Sequence, residues 1–181
     1  LKAGAGLYYR GSLEAAMSEP GVYTAHYESP IGTIEIQGTE AGVSGLNFVD
    51  LKEEKTARRM KDRPPGPVAD ALAQLEGYFH GDRTVFSVKL DLRGTDFQKK
   101  VWAKLLRVKF GQTTTYKALA EAVGNPASTR AVGGANHRNP VSIIVPCHRV
   151  VGSDGRLTGY GGGLWRKDWL LRHEGHDRLL V

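Results

Sequence analysis

The chain has one cysteine in 181 residues, Cys147. A single thiol excludes an internal disulfide and any metal centre built from several thiolates. Secreted chains of this size more often carry an even set of cysteines, so a reducing, intracellular setting is expected. No apolar run approaches the roughly 18 residues that a helical membrane span requires. No charged-then-apolar signal segment opens the sequence. Acidic residues are scarce in one half. Residues 1–92 hold ten Lys+Arg against thirteen Asp+Glu, whereas residues 93–175 hold fourteen against five. The basic excess therefore sits in the half that contains Cys147. It is open to two readings, a solvated basic surface or a polyanionic partner.

The rest of the composition is that of an ordinary folded chain, with 40% hydrophobic residues. Residues 1–16, rich in Gly and Ala and ahead of Met17, read as a non-native leader. Residues 22–28, 31–37 and 43–49 partly alternate and flank the turn-like "SPIG", which predicts a small antiparallel sheet. The charged run "KEEKTARRMKDRPPGP" is expected to be exposed and partly loop. Val68, Leu72, Leu75 and Phe79 then recur at helical spacing, and Gly81 is placed to end that helix. These elements define an N-terminal α/β domain over 17–81, followed by a connector at 82–94. His26 and His80 are isolated and read as structural or surface residues.

Beyond the connector the texture turns helical, over 95–175, with 176–181 as a tail. Thr95 and Gln98 have the spacing of a capping box. Phe97, Val101, Trp102, Leu105 and Leu106 form the apolar face that follows. Tyr116–Val123 suits a short helix, with Leu119, Ala120 and Val123 directed inward. Gly124 supplies a turn, Asn125 an N-cap and Pro126 a first helical residue. That order reads as a helix-turn-helix. The second helix is nearly bald: Ala127, Ser128, Ala131, Gly133, Gly134 and Ala135 surround one long side chain, Arg130. Small residues permit either tight packing on a neighbouring helix or close approach to DNA, with Arg130 pushed into the base stack.

"SIIVPCHRVVG" places Cys147 at the end of what reads as a buried strand, between Pro146 and His148. A lone cysteine is either an inert core residue or a nucleophile, and a nucleophile needs a base or a positive environment. His148 adjoins it, although consecutive side chains usually diverge, so contact would need a bridging water or a tight turn. Glu174, at the end of a final helix carrying Leu164, Trp165, Trp169 and Leu171, is the candidate to orient that imidazole. A Cys–His hydrolase is a further option.

Four ordered motifs, "RAVGGANHRNP", "NPVSIIVPCHR", "PCHRVVG" and "GYGGGLWRKDWLLRHEG", together resemble the O6-alkylguanine-DNA alkyltransferase family. The match runs from about Gly94 to Gly175 and continues more weakly through "YESPIGTIEI" and "LEGYFHG". The resemblance implies an α+β chain: a ribonuclease-H-like N-terminal domain and a mostly helical C-terminal domain of winged-helix type with a helix-turn-helix. It implies a DNA-repair protein that flips O6-alkylguanine, and less readily O4-alkylthymine, from double-stranded DNA. The alkyl group would pass irreversibly to Cys147 in one stoichiometric turnover without a cofactor. By the same resemblance His148 activates Cys147 through water and Glu174 holds the imidazole. Asn139 is the hinge asparagine, and the Tyr116 hydroxyl approaches N3 of the lesion. Val150, with the backbone around Cys147, reads the exocyclic amine; Tyr160 and Gly161 line the side near O6. Arg130 is the finger that fills the vacated stack, and Ser128, Thr129, Ala131 and Gly133 meet the minor groove. A monomer is expected, with clustering on DNA as an option.

Three departures from the family pattern stand out. Some members hold zinc through Cys and His in the N-terminal domain; this chain has no second cysteine, so no comparable metal site is expected. Gly152 stands where some relatives have a further cysteine. Ser142 and Gly161 occupy positions that are proline and serine in other members, which bears on pocket width. An alkyltransferase-like protein that binds lesions without repairing them is the alternative within the same fold, but such proteins lack the acceptor cysteine.

Overall fold

The computed structural model describes residues 7–10, 21–50, 64 and 66–176. The expected exposed run falls almost wholly outside them, as do the rest of the expected leader, Met17 and tail residues 177–181. The chain divides into two compact units at Leu92/Arg93.

The first unit is a four-stranded antiparallel sheet in the order β1 (Leu7–Arg10), β2 (Tyr23–Ser29), β3 (Gly32–Thr39), β4 (Gly42–Phe48). Thus part of the expected leader, Leu7–Arg10, pairs with β2 as an edge strand. Ser29 closes the β2–β3 turn, its hydroxyl donating to Gly32 O at 2.6 Å. Alternation puts Ala25, Tyr27, Ile34, Ile36 and Leu46 on one buried face. Helix α1 (Gly66–His80) covers that face with Val68, Leu72, Leu75 and Phe79, and Tyr27 stacks on Phe79 at 5.6 Å between ring centroids. Each such side chain contributes roughly 1.5–3 kcal/mol by leaving water. The expected connector adds to this sheet, because Val43 N–H donates to Lys89 O at 2.8 Å and Asp91 N–H to Val43 O at 2.9 Å. Gly42 permits that approach: a Cβ there would lie 2.7 Å from the Asp91 nitrogen.

The second unit opens on α2 (Asp96–Leu105), whose Thr95/Gln98 capping box is formed in both directions. Val101, Trp102 and Leu105 are buried, but Leu106 is 46% exposed and lies off the apolar face expected for it. Strand β5 (Thr114–Thr115) leads into α3 (Tyr116–Ala122), capped by the Thr115 side chain, and Gly124 takes a positive φ at the turn. The next helix differs from the sequence reading at its start. Pro126–Ser128 is a 3₁₀ turn, the Asn125 side chain makes no capping bond, and α4 spans Thr129–His137. Trp102 fastens α2 to α4, donating from Nε1 to Ala135 O at 2.9 Å in a buried contact. The chain then passes through a 3₁₀ turn, Cys147–Arg149, to β6 (Val150–Val151), parallel to β5, and ends on α5 (Leu164–His173).

Candidate active site and nucleic-acid face

The stretch before Cys147 is not a strand. Ile144 N–H donates to Ser142 O at 2.8 Å and Cys147 N–H to Val145 O at 2.8 Å, so two γ-turns follow one another. Ile143, in the first, has φ +71°, a strained conformation for a β-branched residue that costs on the order of 1–3 kcal/mol. Its side chain is fully buried, as are those of Val141 and Val145. Burial of these apolar residues offsets the strain and fixes the turn that carries the thiol.

Two asparagines from the end of α4 and just beyond it hold that turn. Asn139 donates from Nδ2 to Val145 O at 2.8 Å and to Cys147 Sγ at 3.0 Å, while its Oδ1 accepts from Val141 N–H at 3.1 Å. Asn136, absent from the sequence expectations, donates to Cys147 O at 3.4 Å. Cys147 is 5% exposed. Burial pushes its thiol above the ordinary value, against the Asn139 hydrogen bond and the nearby Lys167 charge, which pull it down. The resting group is therefore a thiol already hydrogen-bonded in the way that would stabilise a thiolate.

His148 and Glu174 meet as expected. Their side chains are fully buried, with Nε2 2.9 Å from Oε1. A carboxylate accepts only, so Nε2 carries the proton and Nδ1 keeps its lone pair. Nδ1 is buried and no protein group bonds it. Burial lowers the His148 pKa despite the raising effect of Glu174, so the ring rests neutral.

Two buried cations escaped the sequence reading. Arg149 grips Glu174 with Nε to Oε2 at 2.8 Å and Nη2 to Oε1 at 2.9 Å, and donates to Val108 O at 2.6 Å. Burial alone would raise the Glu174 pKa, but His148 and Arg149 hold the carboxyl far below its usual range. Lys167 donates to Val150 O at 2.5 Å and Thr158 O at 2.6 Å, and burial brings its pKa down to about 8. The helical register did signal Lys167, which lies three and four positions before the buried Leu170 and Leu171 and seven before Glu174. By contrast Leu164 and Trp165, which the final helix also carries, are 45% and 57% exposed.

The remaining candidates split into two groups. Tyr160 has its hydroxyl buried, with no group at hydrogen-bond geometry, and burial followed by the Cys147 charge raises its pKa well above the ordinary value. Ser142 lies near both the thiol and that hydroxyl. Gly161 is exposed beside Tyr160, Val150 is buried in β6, and Tyr116 Oη accepts from Thr158 Oγ1 at 3.3 Å. Arg130, Thr129 and Ala131 are exposed on α4, and Ser128 and Gly133 are half-buried beside them. An open groove of 820 Å³ runs between the start of α2 and α4, lined by Phe97, Gln98, Ser128, Arg130, Ala131 and Arg138 among others. A Cβ added at Gly133 would meet only the Tyr116 ring, at an ordinary 3.9 Å. Packing on the neighbouring helix therefore does not demand the glycine.

Residues 96–176 match the family described as 6-O-methylguanine DNA methyltransferase, DNA binding domain, and residues 22–92 match its ribonuclease-like domain. The chain is 46% identical over 159 residues to the methylated-DNA–protein-cysteine methyltransferase of Mycobacterium leprae, covering 87% of this chain and 95% of the relative. It belongs to the 6-O-methylguanine DNA methyltransferase family. A second member, from Methanosarcina acetivorans, is 46% identical over 154 residues, covering 85% of this chain and 99% of that one. Among solved members, the Mycobacterium tuberculosis O6-methylguanine methyltransferase superposes with a TM-score of 0.70 at 43% identity, covering 82% of this chain and 90% of that chain. The M. tuberculosis OGT in complex with DNA superposes with a TM-score of 0.71 at 44% identity, with the same coverage. The family architecture, a small sheet unit followed by a helical DNA-binding unit, is the one described above.

Proposed function

We propose that this methyltransferase repairs alkylated DNA by moving the alkyl group onto Cys147, once per molecule. The observation that carries the reading is a thiol held by Asn139 at 3.0 Å and followed directly in the chain by a carboxylate-oriented imidazole whose Nδ1 has no hydrogen-bond partner. A water between Nδ1 and Sγ would pass the thiol proton to the ring, and Glu174 stabilises the imidazolium that forms. The Asn139 amide and the Lys167 charge favour the thiolate as it develops. Sulfur then displaces guanine from the O6-alkyl carbon: a C–S bond forms, the C–O bond breaks, and the electron pair leaves with the base. Tyr116, whose oxygen accepts from Thr158, is left with a proton to donate toward N3 of the leaving guanine. The product thioether has no carbonyl for water to attack, so the cysteine is not regenerated.

The target must leave the duplex to reach a buried sulfur, at a cost of a few kcal/mol. Arg130, exposed on a helix face kept low by Ala131 and Gly133, is the group to fill the gap, approaching through the minor groove with Ser128 and Thr129 alongside. Val150, Tyr160 and Gly161 line the base pocket in this reading. The basic balance of residues 93–175 supports DNA binding that weakens with salt. The protein acts as a monomer inside the cell, with O4-alkylthymine as a secondary substrate. Among the described residues no cluster of His, Cys, Asp and Glu could hold a metal ion. Peptide mapping after incubation with an O6-methylguanine duplex tests the reading. The methyl group is expected on the peptide holding Cys147; its appearance elsewhere, or nowhere, overturns it.

A further inference from the structure

The loop that carries Tyr160 toward the thiol is built from the three consecutive glycines Gly161, Gly162 and Gly163. Without side chains such a loop has no packing of its own and large conformational freedom. Gly163 takes φ +91°, and its N–H donates to Tyr160 O at 3.0 Å, which closes a tight turn. What holds that turn comes from the first residues of α5. Arg166 donates from Nη1 to Gly162 O at 2.8 Å. Its guanidinium lies 4.5 Å from the centroid of the Trp165 ring. That ring in turn lies 3.5 Å from where a Cβ on Gly163 would stand. Trp165 is 57% exposed, so the hydrophobic core does not account for it. Arg166 is also close enough for its charge to be felt at the Tyr160 hydroxyl, the same hydroxyl that feels Cys147.

We propose that Arg166, buttressed by Trp165, is a positioning residue that holds the Tyr160–Gly163 loop against the Cys147 pocket and so limits the size of the alkyl group accepted. The inference rests on Cys147 being the alkyl acceptor. A clamped loop keeps the Tyr160 ring and the Gly161 backbone in one place, which suits a methyl group and resists a benzyl group. A released loop yields to the larger group and positions the smaller one less well.

The test uses the full chain and two duplexes of one sequence, one with O6-methylguanine and the other with O6-benzylguanine. Any drop in DNA affinity caused by removing the arginine's charge then cancels in the ratio of the two second-order rate constants. Arg166→Ala is expected to raise the benzyl-to-methyl ratio by about threefold or more, mostly by slowing methyl transfer. Trp165→Ala moves it in the same direction, while Trp165→Phe, which keeps a ring face under the guanidinium, leaves it at the wild-type value. A role in stability alone would lower both rates together and leave the ratio fixed. An unchanged ratio in Arg166→Ala and Trp165→Ala overturns the proposal. Should Arg166→Ala fail to fold, the exposed Trp165 variants decide alone. A wild-type protein that transfers neither group refutes the acceptor role of Cys147 instead, and that result is visible before any variant is made.

Discussion

Replacing Glu174 with glutamine removes one oxygen and one charge from a buried carboxylate on which four donors converge. The carboxylate accepts from Arg149 Nε at 2.8 Å, Arg149 Nη2 at 2.9 Å, His148 Nε2 at 2.9 Å and Gly111 N–H at 3.4 Å. Each oxygen faces donors only, so whichever becomes the amide nitrogen meets a donor. Breaking a buried pair this way and leaving the Arg149 cation uncompensated costs about 3–5 kcal/mol. For a chain of this size that cost corresponds to roughly 6–20 °C in Tm. The chemical effect is separate. An amide N–H directed at Nε2 drives the proton to Nδ1, the nitrogen needed as the base. Loss of a correctly oriented base costs about 10²–10⁴ in rate. Thermal melts give the first quantity, and single-turnover transfer below the variant's melting point gives the second. Adding Arg149→Leu to Glu174→Gln removes the stranded cation and should restore part of the stability but none of the rate. A Glu174→Gln protein that melts within about 2 °C of wild type, or a double variant that regains activity, refutes this account of the triad.

Three further outcomes are expected. Cys147→Ser should bind an O6-methylguanine duplex nearly as well as wild type, by gel shift, yet gain no methyl group by mass. Arg130→Ala should slow repair of the lesion in duplex DNA far more than reaction with the free base, and equal losses would count against its place in the stack. Stability should fall in acid in two stages, read from urea midpoints. The folded His148 pKa lies below its ordinary 6.5, so the unfolded chain binds the extra proton first and stability drops as pH falls below 6.5. The depressed Glu174 pKa adds a second loss as pH falls below its ordinary 4.5. Each proton contributes a slope of up to about 1.4 kcal/mol per pH unit, and His148→Gln should abolish the first stage.

Features with a local cause were legible in the sequence. The Thr95–Gln98 box, the Gly124 turn and the buried stripe Val68, Leu72, Leu75 and Phe79 each follow from spacing within one or two helical turns, and the structure has them. The pairing of His148 with Glu174 followed from what a thiol nucleophile's base needs and from the motif resemblance; periodicity could not supply it. Where the sequence reading failed, a distant partner decided the outcome. "SIIV" has strand propensity, yet Asn139 claims Val145 O and the Val141 N–H that a neighbouring strand would have used. Leu164 and Trp165 have the hydrophobicity of core residues, but Arg149 and Lys167 take buried places instead, because Glu174 and two carbonyls satisfy their charge. No window of the sequence holds both ends of those contacts. Asn136, which reaches the Cys147 carbonyl, is marked by nothing beyond its place four residues after Val132 on the buried side of α4.

The central claim is that Cys147 takes an alkyl group from DNA and keeps it. Titrating a fixed amount of protein with duplex bearing an isotopically labelled O6-methyl group measures this directly. Label bound to protein should rise linearly with DNA and stop at one methyl group per chain, with the added mass retained on prolonged incubation. Repair that continues past one equivalent, or protein that emerges with its original mass while the lesion is gone, would contradict the account.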